Sequence, residues 1–238
     1  MIKQISKDGM ATTVDHKLFN HKFIDKIELS ENYQTGQRRY QLPDGSLVPS
    51  VTTVLSSLDK GHLDVWRKRV GEVEADKITN QAKNRGTAIH KLAEDYLMNK
   101  EDYHVGSMPI NLYDFKNHIK PYLDARVDNI LGIEYPLFSK RLKTAGRTDL
   151  IADWDGSPAI IDFKTSRKPK REEWITNYKM QAAFYAAALY EMTGIEVKQS
   201  VILISVDNDE PQVFVQNVYT WISEFIKVRN QYKNLYGM

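Results

Sequence analysis

Two aspartates and a lysine in one short stretch of the sequence could together hydrolyse a phosphodiester. Asp149 lies in the segment GRTDLIADW, and Asp162 and Lys164 lie in the next segment, AIIDFK. The Asp155–Gly156 pair between them is typical of a tight turn, so we predict two adjacent strands that bring the carboxylates together. Side chains alternate along a strand, so Asp162 and Lys164 should share one face while Phe163 points to the other.

This arrangement is suited to metal-assisted hydrolysis. Carboxylates can bind a divalent cation, which polarises a phosphate and acidifies a bound water. A lysine beside them could position or activate that water and offset charge in the transition state. The alternative is that Asp162 and Lys164 form the polar face of an ordinary edge strand. The apolar run before Asp162 predicts a buried strand, where a carboxylate is costly unless paired or metal-bound, and this favours the metal site.

The composition limits the metal and the class of protein. The 238-residue chain has no cysteine, which excludes disulfides, iron–sulfur clusters and thiolate ligands. Oxygen and imidazole ligands favour Mg²⁺ or Mn²⁺. No apolar run is long enough to span a bilayer, and the N-terminus resembles neither a signal peptide nor a transit peptide. We therefore expect a cytoplasmic protein with no membrane partner.

Positive charge is concentrated around the two aspartates, although the net charge of the whole chain is only +2. Residues 140–171 include nine basic and four acidic side chains, an excess of five positive charges. A local basic patch suits a polyanionic ligand, and a solvated surface loop is the alternative. The residues that we expect to contact nucleic acid are Arg147, Arg167, Lys168, Lys170 and Arg171.

The first half of the chain is predicted to be a hairpin followed by helices. Residues 38–49 surround the turn Asp44–Gly45, and Ser50 could cap a short helix with Val51, Val54, Leu55 and Leu58 on its apolar side. Helical periodicity runs from about Leu63 to Met98, with a break near Arg85–Thr87. It also runs over residues 111–130, with Pro121 marking a kink or a break.

The second half changes to the period of strands. We predict a three-strand meander at 132–138, 146–154 and 159–164, a helix at 172–193, strands at 199–206 and 212–218, and a final helix from Tyr219. This order indicates an α/β fold in which a mixed sheet is flanked by helices, with a helical N-terminal part. No linker is evident, so we expect a single domain over residues 1–238, comprising the hairpin and helical part (1–130), the catalytic sheet (131–218) and the C-terminal helix (219–238).

Four segments, in this order, resemble the PD-(D/E)XK nuclease superfamily, whose fold is restriction-endonuclease-like. They are RGTAIHKLAEDYL with His90, GRTDL with Asp149, IIDFKT with Asp162 and Lys164, and the helix with Gln181 and Tyr185. More narrowly, they are similar to the RecB-like exonuclease branch, which includes phage exonucleases and the mitochondrial genome maintenance exonuclease. The similarity covers about residues 38–206, including LPDGSLVPSVTTVL. Because cysteine is absent, the resemblance is to members without an iron–sulfur cluster.

The resemblance implies a role for each matching residue. His90, Asp149, Asp162 and the backbone carbonyl of Phe163 would be metal ligands, and Lys164 would be the catalytic lysine. By itself, a lone helical histidine is more often structural or solvated than a ligand.

Four further side chains could belong to the same site. Gln181 and Tyr185 share a helix face and would lie beside the active site, near DNA or the nucleophile, although packing against the sheet is the alternative for Tyr185. Glu94, one turn after His90, could orient the imidazole, although a plain surface carboxylate is the simpler interpretation. Glu134, on the strand before Asp149, could also face the site.

The implied activity is that of a metal-dependent DNA exonuclease, with a preference for single-stranded ends. Its setting would be bacterial or phage DNA processing, repair, recombination or degradation, which leaves a partner in a DNA-processing complex open. One alternative is a structure-specific or restriction-type endonuclease of the same superfamily. Another is a non-catalytic nucleic-acid-binding module, which the presence of Asp149, Asp162 and Lys164 disfavours. No phosphate-binding loop of an ATPase is present.

Overall fold

A five-stranded mixed sheet lies at the centre of the fold and carries the predicted active-site segments. The computed structural model describes residues 3–5, 11–13, 16–33, 36–58 and 61–237. The first strands are β1 (Lys3–Ile5), β2 (Ala11–Thr13), β3 (Ser30–Asn32), β4 (Arg39–Gln41) and β5 (Leu47–Pro49). The helices that follow are α1 (Val51–Ser56), α2 (His62–Val70), α3 (Glu72–Leu97), α4 (Pro109–Asp114) and α5 (Lys120–Arg126). The remaining elements are β6 (Val127–Ser139), β7 (Thr144–Trp154), β8 (Ser157–Ser166), α6 (Thr176–Thr193), β9 (Gln199–Val206), β10 (Gln212–Asn217) and α7 (Tyr219–Tyr236).

The central sheet has the strand order β10–β9–β8–β7–β6. The strands β6, β7 and β8 form an antiparallel meander, β9 runs parallel to β8, and β10 is antiparallel to β9. The parallel step needs a crossover connection, which α6 provides. Asp155 and Gly156 have φ angles of 51° and 76°, as a two-residue hairpin turn matched to the strand twist requires. The predicted meander and the mixed α/β fold are confirmed.

The sheet separates two apolar clusters because its strands alternate side chains between the two faces. Leu150 and Phe163 lie in a cluster with Ile89 of α3. Ile151 and Ile160 lie on the opposite face, in the cluster formed with α6 and α7. Burial of each such side chain contributes about 1.5–3 kcal/mol, so both helical layers are held firmly against the sheet.

The N-terminal hairpin forms as predicted and leads into a capped helix. The strands β4 and β5 pair around the turn at Asp44–Gly45, and β3 adds a third strand to them. The side chain of Ser50 caps α1 by accepting a hydrogen bond from Thr53 N at 3.0 Å. Leu58, which was expected on the apolar side of this helix, lies beyond its end and is 46% exposed, so that detail of the prediction is wrong.

The long helical region is broken at Gly71 and not near Arg85–Thr87. Gly71 has φ 87° and ψ 145°, a left-handed conformation that interrupts the helix between α2 and α3. Gly86, by contrast, remains inside α3. A glycine in a helix interior costs only about 1 kcal/mol relative to alanine, and the apolar packing of α3 outweighs this cost. The predicted position of the break is therefore wrong.

The second helical region is also shorter than predicted. A π-helical turn, Phe115–Ile119, joins α4 to α5, and Pro121 lies in the first turn of α5, where its missing N–H is not needed. The helix ends at Arg126, and residues 127–130 already belong to β6. The predicted boundary at 130 therefore falls inside a strand. Among the described residues, no helix combines the length and apolarity that crossing a bilayer requires.

Candidate active site

The predicted carboxylates lie where β7 and β8 stop pairing. The antiparallel register of these strands ends at Leu150 and Ile161, and Asp149 and Asp162 are the next residues on each strand. The backbone N–H of Phe163 donates a hydrogen bond to Asp149 Oδ2 at 2.7 Å. On its other edge, β8 stays paired with β9 along its length. The two carboxylates therefore occupy a gap between strands that the rest of the sheet holds in place.

Asp162 and Lys164 share a face of β8, as the alternation of the strand predicts. Lys164 Nζ lies 2.5 Å from Asp162 Oδ2, yet this buried oxygen accepts no hydrogen bond of normal geometry from the described residues. Burial raises the pKa of the Asp162 carboxyl to about 6, against the opposing effect of the Lys164 ammonium. Burial acts to lower the pKa of Lys164, but the charges of Asp162 and Asp149 and the close contact with Asp162 together raise that pKa above its usual value.

His90 reaches the same gap from α3. Its Nδ1 lies 3.3 Å from Asp149 Oδ1, and its Nε2 lies 2.9 Å from the carbonyl oxygen of Phe163. Burial acts to lower the pKa of the imidazole, but the charge of Asp149, its hydrogen bond with His90 and the charge of Asp162 together raise it to about 9. Burial acts to raise the pKa of Asp149, but the charge and hydrogen bond of His90, the charge of Lys164 and the Phe163 N–H together hold it below the usual value. These two side chains form one electrostatic pair.

Glu134 joins this pair from β6 through a distorted backbone. Its φ of 44° is left-handed, which is uncommon for a residue other than glycine. The distortion coincides with a change of face, since Ile133 lies in the α3-side cluster and Tyr135 in the α6-side cluster. Irregular strand geometry of this kind often re-aims a side chain beside an active site. Burial, followed by the charge of Asp149, raises the pKa of Glu134 to about 7.

The geometry brings together side chains from three elements that could bind a metal ion. Ligand atoms of His90, Glu134 and Asp149 all lie within 4.8 Å of one another. A groove lined by Gly86, Thr87, His90, Lys91, Glu94 and Glu134 opens beside them. Among the described residues, this is the cluster of histidine and acidic side chains that could hold a metal ion. Glu94 lines the groove with His90, and its recorded ion pair is with Lys91 at 3.4 Å.

Gln181 and Tyr185 share a face of α6, as their spacing predicts. Gln181 Nε2 donates a hydrogen bond to Tyr185 OH at 3.1 Å, and both side chains are buried. The ring of Tyr185 packs over Gly146 of β7, where a β-carbon would lie only 2.8 Å from Tyr185 Cε1. Tyr185 therefore packs against the sheet, as the alternative interpretation of this residue predicted.

The predicted nucleic-acid contacts fall into two places. Arg147 is half-buried on β7, close enough for its charge to act on Glu134 and Glu31. Its Nε is buried and has no hydrogen-bond partner among the described residues. The other four residues follow β8; Arg167, Lys168 and Arg171 are exposed and Lys170 is half-buried. They line the connection that leaves the site towards α6.

Sequence reasoning missed Tyr178, which lies directly beside the predicted lysine. Lys164 Nζ is 5.2 Å from the centroid of the Tyr178 ring. Burial raises the pKa of Tyr178, and the charge of Lys164 opposes that rise. The signal was present in the spacing, because Tyr178 precedes Gln181 by three residues and so shares its helix face.

The second half of the chain is similar in sequence to known proteins. A family model described as the PD-(D/E)XK nuclease superfamily matches residues 114–233, which is half of the chain. The chain is 27% identical over 131 residues to mitochondrial genome maintenance exonuclease 1 of Mus musculus. That match covers 52% of this chain and only 38% of the mouse protein.

Solved structures give more distant similarities. A crystal structure of a Eubacterium rectale protein, described as a candidate exonuclease, is 12% identical with a TM-score of 0.38, and the match covers 62% of this chain and 68% of that one. A second solved structure is 14% identical with a TM-score of 0.38, and covers 78% of this chain and 84% of its own. The family model matches half of this chain, and the chain therefore belongs to the PD-(D/E)XK nuclease superfamily.

Proposed function

We propose that this nuclease is a metal-dependent DNA exonuclease that prefers single-stranded ends, and that residues 1–238 act as a single domain. The observation that carries the proposal is the convergence of Asp149, Asp162, Lys164 and His90 at the gap between β7 and β8. A buried structural ion pair would need only two of these groups. Four of them, from a helix and two strands, form a site that can bind a cation and a phosphate.

The donor set fits a hard divalent cation. Carboxylate oxygens, one imidazole and the Phe163 carbonyl are available, and no thiolate exists in the chain. Asp162 Oδ2 is buried and makes no hydrogen bond of normal geometry with the described residues, and the Lys164 ammonium lies 2.5 Å from it. We propose His90, Asp149, Asp162 and Phe163 O as ligands of Mg²⁺ or Mn²⁺, and we add Glu134 from its place in the cluster. A bound cation would polarise the phosphate and acidify a water molecule.

The remaining residues orient the substrate and offset its charge. The Lys164 ammonium lies beside the carboxylates, where it can donate to a phosphate oxygen and offset the charge that develops in the transition state. Gln181 and Tyr185 are hydrogen-bonded to each other on α6, and Tyr178 of the same helix covers the lysine with a ring face. Phe163 N–H fixes Asp149 in the gap, so the site is preorganised by backbone as well as side-chain contacts.

The preference for a DNA end rests on relatives, since the mouse protein is by name an exonuclease. Digestion of end-labelled linear and closed-circular single-stranded DNA tests it, in Mg²⁺, Mn²⁺ or EDTA. We expect linear strands to shorten from an end in Mg²⁺ or Mn²⁺, circles to survive, and EDTA to abolish cleavage.

Other outcomes would replace the proposal. Cleavage of the circles would make the chain an endonuclease. Binding without cleavage in either cation would make it a nucleic-acid-binding module. Asp162→Asn provides the inactive control, because it keeps the shape of the side chain and removes its charge.

A further inference from the structure

Trp174 differs from the other tryptophans of the chain in its exposure. It is 59% exposed, whereas Trp154 is buried and Trp66 and Trp221 are half-buried. A single exposed apolar side chain does not by itself indicate a binding site, so the surroundings of Trp174 must be considered. An exposed aromatic ring is stabilised by stacking on another flat ring, which also removes both faces from water.

Trp174 is close in sequence to residues of the proposed active site. It belongs to the 3-10 turn Glu172–Ile175, which leads directly into α6. Four residues later, Tyr178 contacts the Lys164 ammonium at 5.2 Å from its ring centroid. Trp174 therefore stands about one helical turn from a side chain that touches the proposed catalytic lysine.

The segment that carries Trp174 is fixed at both ends. Ile175 is fully buried in the α6-side cluster. On the other side, the backbone of Lys170 exchanges two hydrogen bonds with the Gln212 side chain of β10, at 2.6 and 3.0 Å. A ring on a fixed segment loses little conformational entropy when a ligand stacks on it.

The surroundings of the ring are positively charged. The guanidinium of Arg171 lies 5.1 Å from the Trp174 ring centroid, and three further basic residues precede it, namely Arg167, Lys168 and Lys170. Two acids oppose them. Glu172 is paired with Lys179 at 2.9 Å, and Glu173 lies 3.9 Å from Arg171. The balance over residues 167–174 is four basic against two acidic side chains, so it stays positive.

We propose that Trp174 is a stacking platform for one base of a single DNA strand whose backbone follows Arg167, Lys168 and Arg171 into the active site. The inference rests on the proposed function and names the contact that recognises its substrate. Aromatic rings interleaved with basic side chains bind single strands without regard to sequence, because every base has a flat face. A paired base is already stacked in its duplex, so the platform favours single strands.

Binding of a fluorescent oligothymidylate in EDTA, followed by anisotropy, tests the platform without cleavage. Trp174→Ala should bind about five- to 150-fold more weakly than wild type, the range expected for the loss of one stacked base. Trp174→Phe should recover most of the affinity. Tyr190→Ala is the matched control, because Tyr190 is 60% exposed near the opposite end of α6. Thermal melting of each variant shows that the fold is intact.

Abasic oligonucleotides then separate stacking from charge. In a series of oligonucleotides that each lack one base, wild type should bind one member more weakly than the others. Trp174→Ala should bind that member as tightly as wild type does. Trp174→Ala with the affinity of Tyr190→Ala would overturn the platform, even if wild type cleaves DNA. A folded wild-type chain that neither binds nor cleaves the oligonucleotide would overturn the proposed function and the platform together.

Discussion

Lys164 and Asp162 form a close ion pair, and each affects the pKa of the other. The ammonium lies 2.5 Å from a carboxylate oxygen that has no other described partner. A charge pair shielded from water is costly to form and is costly to break from one side only. Because His90 and Asp149 lie in the same gap, the pair belongs to a cluster of four ionisable groups, and we assign it to the proposed active site.

Lys164→Ala should abolish turnover while single-strand affinity falls by no more than about tenfold, roughly 1.4 kcal/mol, because the basic segment after β8 remains. Single-turnover cleavage and anisotropy in EDTA measure the two quantities separately. Lys227→Ala is the matched control, since that lysine is 66% exposed on α7. Near-normal cleavage by folded Lys164→Ala would show that the catalytic lysine is assigned wrongly.

At the scale of elements, the close approach of α6 to β7 depends on the absence of a side chain at Gly146. A β-carbon there would lie 2.8 Å from Tyr185 Cε1 and 3.0 Å from Val51 Cγ1. Both neighbours are fully buried and cannot move away easily. The same contact holds Gln181 in place through its hydrogen bond to Tyr185.

Gly146→Ala should therefore destabilise the protein by about 1–3 kcal/mol, the usual cost of overpacking a core. Gly86→Ala is the matched substitution in α3, where the nearest atom to a new β-carbon is Thr165 Oγ1 at 3.8 Å. We expect it to stabilise the fold by up to about 1 kcal/mol, because alanine is the better helix former. Urea denaturation measures both changes, and equal stabilities for the two variants would refute this account of the packing.

The connection from β8 to α6 carries four of the five basic residues that were predicted to contact DNA. Replacing Arg167, Lys168, Lys170 and Arg171 by glutamine should weaken single-strand binding at low salt, and equally for different sequences. The slope of log affinity against log salt should fall by about 0.7 for each phosphate that the variant no longer neutralises. Equilibrium binding over a salt series measures it, and an unchanged slope would place the DNA path elsewhere.

At the scale of the whole molecule, the catalytic half of the fold could be predicted from the sequence and the helical half only in part. The alternation around Asp149 and Asp162 and the turn at Asp155–Gly156 are local signals, and they fixed the meander and the shared face of Asp162 and Lys164. The helix break at Gly71 was missed because its left-handed φ is not visible in composition.

The site itself was predictable where its residues share a strand or a helix. Glu134 could be suspected but not placed, because its direction depends on a left-handed backbone at φ 44° that no periodicity reveals. The contact of His90 with Phe163 O depends on the separation of β7 and β8, which is a tertiary feature. Tyr178 could have been predicted but was missed, since it shares a helix face with Gln181.

The most direct test of the central claim is a calorimetric titration of the cation-stripped protein with Mn²⁺, followed by cleavage of end-labelled single-stranded DNA by the same sample. Wild type should bind the cation and cleave, and Asp149→Asn and Asp162→Asn should lose both properties while melting as folded proteins. Addition of EDTA should stop the wild-type reaction. Undiminished cleavage in EDTA, or normal Mn²⁺ binding and cleavage by Asp162→Asn, would contradict a metal site at the gap between β7 and β8.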